Sequence, residues 1–165
     1  MLKITTENLI IRNVMIDDVS SIYKYRNNKI CYRYQRGQAK SKKEITQLVL
    51  NNLDKNINLE TNTLLAIAIK ETNEIIGEIL IMPKDMTISL GYTISPEFQN
   101  KGYGFESVSK LIDILHSKFP KHEFICFCHP DNTFSIKLLE KLGFTNMGYY
   151  KVVESLMFGK WINIY

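Results

Sequence analysis

Nowhere in these 165 residues does an apolar run approach the roughly 18 residues that a membrane-spanning helix needs, which excludes a helical membrane protein. The stretch Met1-Leu2-Lys3-Ile4-Thr5-Thr6-Glu7 lacks the apolar core and small-residue cleavage site of a secretory signal, so a cytoplasmic location is expected. Cysteine is scarce. Cys31, Cys126 and Cys128 are odd in number and have no second cluster, and a lone Cys-x-Cys pair is too sparse for a zinc site, which wants about four ligands. No metal is expected. Cys126 and Cys128 share one face of an expected strand, and buried free thiols suit a reducing compartment. A net charge of +4 is spread over scattered lysines, without the dense basic stripe and interleaved aromatics of a nucleic-acid binder. No Gly-Lys-Ser/Thr ending is present, which removes a P-loop, and only two of the three glycines of a dinucleotide fingerprint occur. No internal repeat or compositional break divides the chain, so one domain spanning 1–165 is expected.

What is present describes a globular protein: 45% apolar and 23% charged residues, on a chain long enough for a substantial core. The pattern predicts a strand over 9–13 and a helix over 17–28 that starts with Asp17 and Asp18. Ser41-Lys42-Lys43-Glu44 is a capping box opening a second helix, with Ile45, Leu48, Val49 and Leu53 inward. An asparagine-rich loop over 51–62 precedes a hairpin of strands 64–69 and 75–82 across Glu71-Thr72-Asn73-Glu74. A fourth strand covers 88–94, and a helix follows with Phe105, Val108, Leu111, Ile112 and Leu115 as its apolar stripe. A fifth strand over 123–128 ends before Pro130, a helix from about 132 to 142 stops at Gly143, and two strands fill 145–165.

Between the fourth strand and its helix lies Gln99-Asn100-Lys101-Gly102-Tyr103-Gly104. A glycine turn at a helix start aims free backbone N–H groups at one spot, where the helix dipole also favours an anion. Glycines there admit a ligand close to the backbone.

The longer string, from Gly91-Tyr92 through Ser95-Pro96-Glu97-Phe98-Gln99 to Gly102-Tyr103-Gly104, resembles the acetyl-CoA-binding motif of the GNAT superfamily of N-acetyltransferases, Gln/Arg-x-x-Gly-x-Gly/Ala. Leu9-Ile10-Ile11-Arg12 followed by Asp17-Asp18, the segment Tyr32-Arg33-Tyr34-Gln35, and Asn132-Thr133-Phe134-Ser135 leading to Lys141-Leu142-Gly143-Phe144 are similar to the RimJ/RimL branch, which acetylates α-amino ends of ribosomal proteins. The resemblance covers almost the whole chain in order. It implies an α/β fold with a mixed, mostly antiparallel sheet of six to seven strands and flanking helices, splayed between the fourth and fifth strands. It also implies an acetyl-CoA-dependent transfer of acetyl directly to a primary amine.

By that resemblance, backbone groups of Tyr92, Thr93 and Ile94 hold the pantetheine arm and the Ile94 N–H faces the thioester oxygen. Gln99, Asn100, Lys101, Gly102, Tyr103, Gly104 and Phe105 grip the pyrophosphate. Asn132 is either a pantetheine ligand or simply a helix cap. Ser135 is the helix-borne acid for the departing thiolate, because Leu139 stands where many relatives carry tyrosine. Ser89 occupies a position that is glutamate in some relatives. Glu154 is then a candidate base or a surface residue of the last hairpin, and Glu78 and Glu97 are weaker choices. Tyr32, Arg33, Tyr34 and Arg36 would line an acceptor pocket between the first two helices and the last hairpin, the arginines pairing with a substrate carboxylate.

A site without an obvious strong base favours an α-amine, whose pKa of about 7.7–8.0 leaves roughly a fifth or more neutral near pH 7.5. A lysine side chain, at about 10.4, is neutral only to about one part in a thousand. The alternatives are an antibiotic or polyamine acetyltransferase and a non-catalytic acyl-CoA-binding module. The acceptor is then a small-molecule or peptide amine, and the chain a monomer or homodimer.

Overall fold

Side-chain alternation along one central strand divides the interior into two cores. The structure, a computed structural model, describes residues 1–161. In β3 (Thr63–Ile69), which follows β1 (Lys3–Thr5) and β2 (Leu9–Asn13), Leu65 and Ile67 face one side of the sheet while Leu64 and Ala66 face the other. The first pair packs with Val108, Leu111, Ile112 and Leu115 of α4 (Tyr103–Lys118). The second packs with Ile22 and Tyr25 of α1 (Val19–Arg26) and with Ile45 and Val49 of α3 (Lys42–Leu50).

Four-residue α2 (Lys29–Tyr32) sits between those two helices, β4 (Ile75–Lys84) and β5 (Thr87–Ile94) complete the central strands, and β6 (Glu123–Cys128), α5 (Thr133–Lys141), β7 (Thr145–Tyr150) and β8 (Ser155–Lys160) follow. The described residues form one eight-stranded sheet in the order β1-β2-β3-β4-β5-β6-β8-β7. All pairings are antiparallel except β5 with β6, which α4 connects by a crossover.

The expected mixed, mostly antiparallel α/β sheet is therefore present, with eight strands rather than six to seven. The extra strand is β1, three residues long and too short to show an alternation. The helix expected over 17–28 is instead a 3-10 turn, Ile16–Asp18, then α1 and the separate α2, whose break is capped by the Asn28 side chain accepting from the Ile30 N–H. The capping box of α3 forms: Glu44 N–H donates to Ser41 Oγ at 3.2 Å, and Ser41 N–H donates to Glu44 Oε2 at 3.2 Å. The last hairpin folds back so that β8, not β7, lies beside β6. Its expected continuation into residues 162–165 lies outside the described residues. All three cysteines are buried free thiols, and no helix among the described residues is long and apolar enough to cross a membrane.

A buried ion pair ties β2 to the 3-10 turn that leads into α1. Arg12 donates to both carboxylate oxygens of Asp18, at 2.8 and 3.0 Å, and each residue is only 4% exposed. Arg12 Nε also donates to Asn73 Oδ1 at 2.8 Å, and Asp18 accepts from the Met15 N–H at 2.8 Å. Replacing Asp18 by alanine leaves a buried guanidinium without its charge partner and should cost about 3–5 kcal/mol of stability. In urea unfolding, the double replacement Arg12→Met with Asp18→Leu should recover much of that loss. A single variant as stable as the parent would show that the pair anchors nothing.

Candidate functional site

The ladder between β5 and β6 is short. Thr87 pairs with Glu123, Ile88 with Phe124 and Ser89 with Ile125, and there the pairing ends. Each strand keeps its other neighbour, since β4 follows β5 to Ile94 and β8 follows β6 to Cys128. The two strands part, and the edge of β5 beyond Ser89 borders an opening. Strand peptide groups alternate in direction. Thr93 turns its carbonyl toward Gly77 of β4, where an added β-carbon would stand 2.2 Å from that oxygen, so only glycine allows this approach. The Ile94 carbonyl points the other way and accepts from Gln99 Nε2 at 2.9 Å and from the Cys31 thiol at 3.6 Å. By that alternation the peptide groups of Tyr92 and Ile94 face the opening, while that of Thr93 belongs to the sheet.

The expected role of Thr93 as a backbone ligand is therefore corrected. Its peptide is turned away, and its hydroxyl accepts from Gln35 Nε2 at 2.8 Å.

Three cavities follow one another past this edge. The first, about 250 Å³, is bounded by Gln99, Asn100, Gly102, Tyr103, Gly104 and Phe105 of the glycine turn and by Lys137, Leu138 and Lys141 of α5. Gly102 caps α4 in the left-handed conformation at φ 81°, and nothing lies within 4 Å of where its β-carbon would stand. The turn is thus an open, left-handed cradle at a helix N-terminus, which suits a phosphate. Gly104 is packed instead, with Leu138 Cδ2 3.1 Å from where its β-carbon would be. Asn100 and Lys101 are exposed, Asn100 at a positive φ of 60° and Lys101 above the Phe98 ring. Gln99 lines the cavity, but its amide nitrogen is committed to the Ile94 carbonyl, tying the turn to β5. Lys137 and Lys141 were not foreseen. They lie one helical turn apart on α5, and the sequence shows no sign that this face meets the glycine turn.

The second cavity, about 230 Å³, shares Ile94, Gln99 and Phe134 with the first. Tyr92, Asn132 and Ser135 meet in it. Asn132 caps α5, its Oδ1 accepting from the Ser135 N–H at 3.1 Å, as an N-cap should. Ser135 is 7% exposed, and its Oγ lies 2.8 Å from the Tyr92 hydroxyl. This contact was missed: only the backbone of Tyr92 was expected to matter. Burial pushes the Tyr92 phenol well above its ordinary range, only partly offset by the hydrogen bond to Ser135, so it stays protonated. Cys128 lies beside Ser135, and burial holds its thiol up at about 11 despite that contact. Leu139 is fully buried in the core.

The inter-helix segment splits. Arg33 and Tyr34 line the second cavity, Arg33 donating to the Tyr34 hydroxyl at 2.5 Å, and the Tyr34 ring stacks on His129 with centroids 5.1 Å apart. Tyr32 lines none of the three cavities and lies under the Lys40 ammonium. Arg36 lines the third cavity and pairs with Glu154. That pairing corrects two expectations at once. Glu154 is exposed at a positive φ of 46° in the β7–β8 turn, is outside the cavities, and is an ionic partner rather than a free base. Arg36, in turn, is not free for a substrate carboxylate. Glu97 is exposed and pairs with Lys24.

Glu78, a weaker choice on sequence grounds, is buried on the floor of the third cavity. Its carboxylate accepts from Arg26 Nε at 2.9 Å, from Arg26 Nη2 at 2.5 Å and from the Tyr25 hydroxyl at 2.7 Å. No group of His, Cys, Asp and Glu that would hold a metal occurs among the described residues.

A family model described as "Acetyltransferase (GNAT) domain" matches residues 8–145. A Bacillus subtilis protein named "Uncharacterized N-acetyltransferase YnaD" is 25% identical over 150 residues, covering 90% of this chain and 85% of its own length. A GNAT-family acetyltransferase from Bacillus anthracis has a similar structure, with a TM-score of 0.81 at 20% identity and 96% of each chain covered. RimL, a ribosomal L7/L12 α-N-protein acetyltransferase solved in complex with coenzyme A, gives 0.81 at 17% identity over 96% of this chain and 97% of its own.

The left-handed turn makes a sharp prediction for coenzyme A binding. Gly102→Asn, a residue that tolerates this conformation, should retain affinity within a few-fold, whereas β-branched Gly102→Val should lose at least about tenfold. Each charge-assisted hydrogen bond lost from a displaced turn is worth about 1.5–3 kcal/mol. Calorimetry on the folded variants decides, and equal affinities would remove the turn from the site.

Proposed function

Because this chain belongs to the GNAT acetyltransferase family and is an N-acetyltransferase, we propose that it transfers acetyl from acetyl-CoA directly to the α-amine of an amino acid, peptide or protein N-terminus. The observation that carries this reading is the parting of β5 from β6 beside the Tyr92–Ser135 hydrogen bond, with an open glycine cradle at one end. The residues present fit acetyl-CoA. The α4 N-terminus with Gly102 would hold the pyrophosphate, with Lys137 and Lys141 supplying positive charge along the same cavity. The outward-facing peptide groups of Tyr92 and Ile94 would hold the amide-bearing arm as an added strand does. When bound, acetyl-CoA supplies the activated acetyl group as a thioester.

The protein's own part is then positioning and proton supply. The Ile94 N–H is a fixed donor on the opening and would stabilise negative charge developing on the acyl oxygen. Tyr92 stays protonated and can donate to Ser135 Oγ, which leaves the Ser135 proton for the opening or the neighbouring Cys128 sulfur. That proton would be passed to the departing thiolate, and the proton shed by the attacking amine would restore the Ser135 hydroxyl. Modest help suffices, since a thiol of pKa about 8.5 leaves readily. The carboxylate lining the second cavity, exposed Asp131, lies 3.8 Å from His129 Nδ1, and Glu78 is held by Arg26 and Tyr25. An acceptor of which roughly a fifth or more is already neutral near pH 7.5 fits such a site, which favours an α-amine over a lysine or polyamine. The structural likeness to RimL, an α-N-protein acetyltransferase, supports the same choice.

Ser135→Ala should lower kcat toward the small end of the 10²–10⁴-fold range for a lost acid, with little change in the acetyl-CoA KM. Wild-type turnover in that variant would assign the proton to solvent. In one steady-state thiol-release assay, an α-amine should outperform an ε-amine and spermidine at pH 7.5. The reverse order would transfer the function to drug or polyamine acetylation. Glu154→Gln should leave turnover essentially unchanged, and its collapse would restore Glu154 as the base.

A further inference from the structure

The third cavity, about 480 Å³, opens from the second along Gln35, Tyr92 and Thr93 and runs between β4–β5 and the segment that joins α2 to α3. Its size lies within the range of small-molecule sites, roughly 300–1,000 Å³. Leu48, Leu64, Leu80 and Met82 give it an apolar body. The two buried side-chain atoms without a partner among its lining residues are both acceptors. The Glu78 carboxylate on the floor is already neutralised by Arg26, whose remaining nitrogen donates to the Ala39 carbonyl at 3.0 Å. Gln38 Nε2 donates weakly to Glu78 Oε1 at 3.4 Å, which fixes the amide, because a carboxylate paired with a guanidinium can only accept. The Gln38 oxygen therefore faces the interior, buried and without a partner. The Gln35 amide nitrogen is bound to Thr93, and its oxygen is likewise buried and unpartnered.

Both amide oxygens are already shut off from solvent and unpaired, so a ligand that brings an O–H or N–H donor to either one supplies the hydrogen bond it lacks. A cation gains no net negative charge here, since Glu78 is balanced by Arg26, while Arg36 at the wall is balanced by Glu154.

Resting on the acetyl-transfer reading, we propose that this compartment holds the side group of the acceptor. It selects an uncharged, mainly apolar group that carries a hydrogen-bond donor, received by the amide oxygens of Gln38 and Gln35. The reacting amine would then lie at the shared Tyr92–Thr93 edge, toward Ser135.

Tyrosinamide and phenylalaninamide differ by one O–H donor, and lysinamide supplies the cation. Each is titrated calorimetrically into the protein saturated with coenzyme A, and thiol release from acetyl-CoA is measured in parallel. Tyrosinamide should bind at least about tenfold tighter than phenylalaninamide, with lysinamide weakest. In the variant carrying Gln35→Met together with Gln38→Met, the tyrosinamide preference should collapse to near unity. Leu48→Trp, which fills the compartment, should weaken all three while leaving coenzyme A affinity unchanged, and so shows independently that the protein is folded. Equal binding of the pair in the parent protein, tightest binding of lysinamide, or undiminished binding to Leu48→Trp would each overturn the proposal. Discrimination in binding without thiol release from any amine would leave the compartment standing and remove the acetyl-transfer reading instead.

Discussion

Everything at the site depends on two strands that begin as neighbours and then separate. A backbone N–H or C=O that leaves a ladder needs another partner, so a sheet does not open without compensation. Here β6 is held by β8 from Phe124 to Cys128 and β5 by β4, so each strand survives the loss of the other. The opening is lined on one side by the start of α5, where Asn132 caps the helix and Ser135 reaches Tyr92. On the other side, Gln99 ties the glycine turn to the last carbonyl of β5. The cavity at the turn and the one at Ser135 follow this unpaired edge, and the Gln38 compartment continues from them over the face of β4 and β5.

The fold was legible wherever periodicity was long. The hairpin expected over 64–69 and 75–82 is β3 and β4 almost residue for residue, and the Ser41–Glu44 box marks the true start of α3. Short elements were not legible: β1 has three residues and α2 four, fewer than one full period of any useful pattern. Nor does a local pattern reveal which strands become neighbours, so the insertion of β8 between β6 and β7 had no sequence signal. The opening acidic pair read as helix-start residues, which Asp18 is by position. Its burial against Arg12 is a tertiary fact that only strand β2 beside α1 creates.

At the site, backbone roles were easier to read than side-chain roles. The glycine turn is a local motif, and its left-handed Gly102 follows from chain geometry alone. The partners of long polar side chains are set by distant segments. Arg36 and Glu154 lie 118 residues apart and find each other, which withdraws both from the chemistry expected of them. Tyr92 and Ser135 are 43 residues apart and do the opposite, making a contact that strengthens an expected acid. Glu78 looked like an ordinary strand residue because nothing nearby in sequence shows that Tyr25, Arg26 and Gln38 converge on it.

We propose the unpaired edge of β5, together with the glycine turn, as the seat of acetyl-CoA. Backbone amide resonances followed while acetyl-CoA is titrated into the isotopically labelled protein test it most directly. The largest shifts should fall at Tyr92, Ile94 and Gly102–Tyr103–Gly104–Phe105, with the amides of β2 and β3 unmoved. Saturable shifts that spare Tyr92 and Ile94 and cluster elsewhere in the sheet would contradict it.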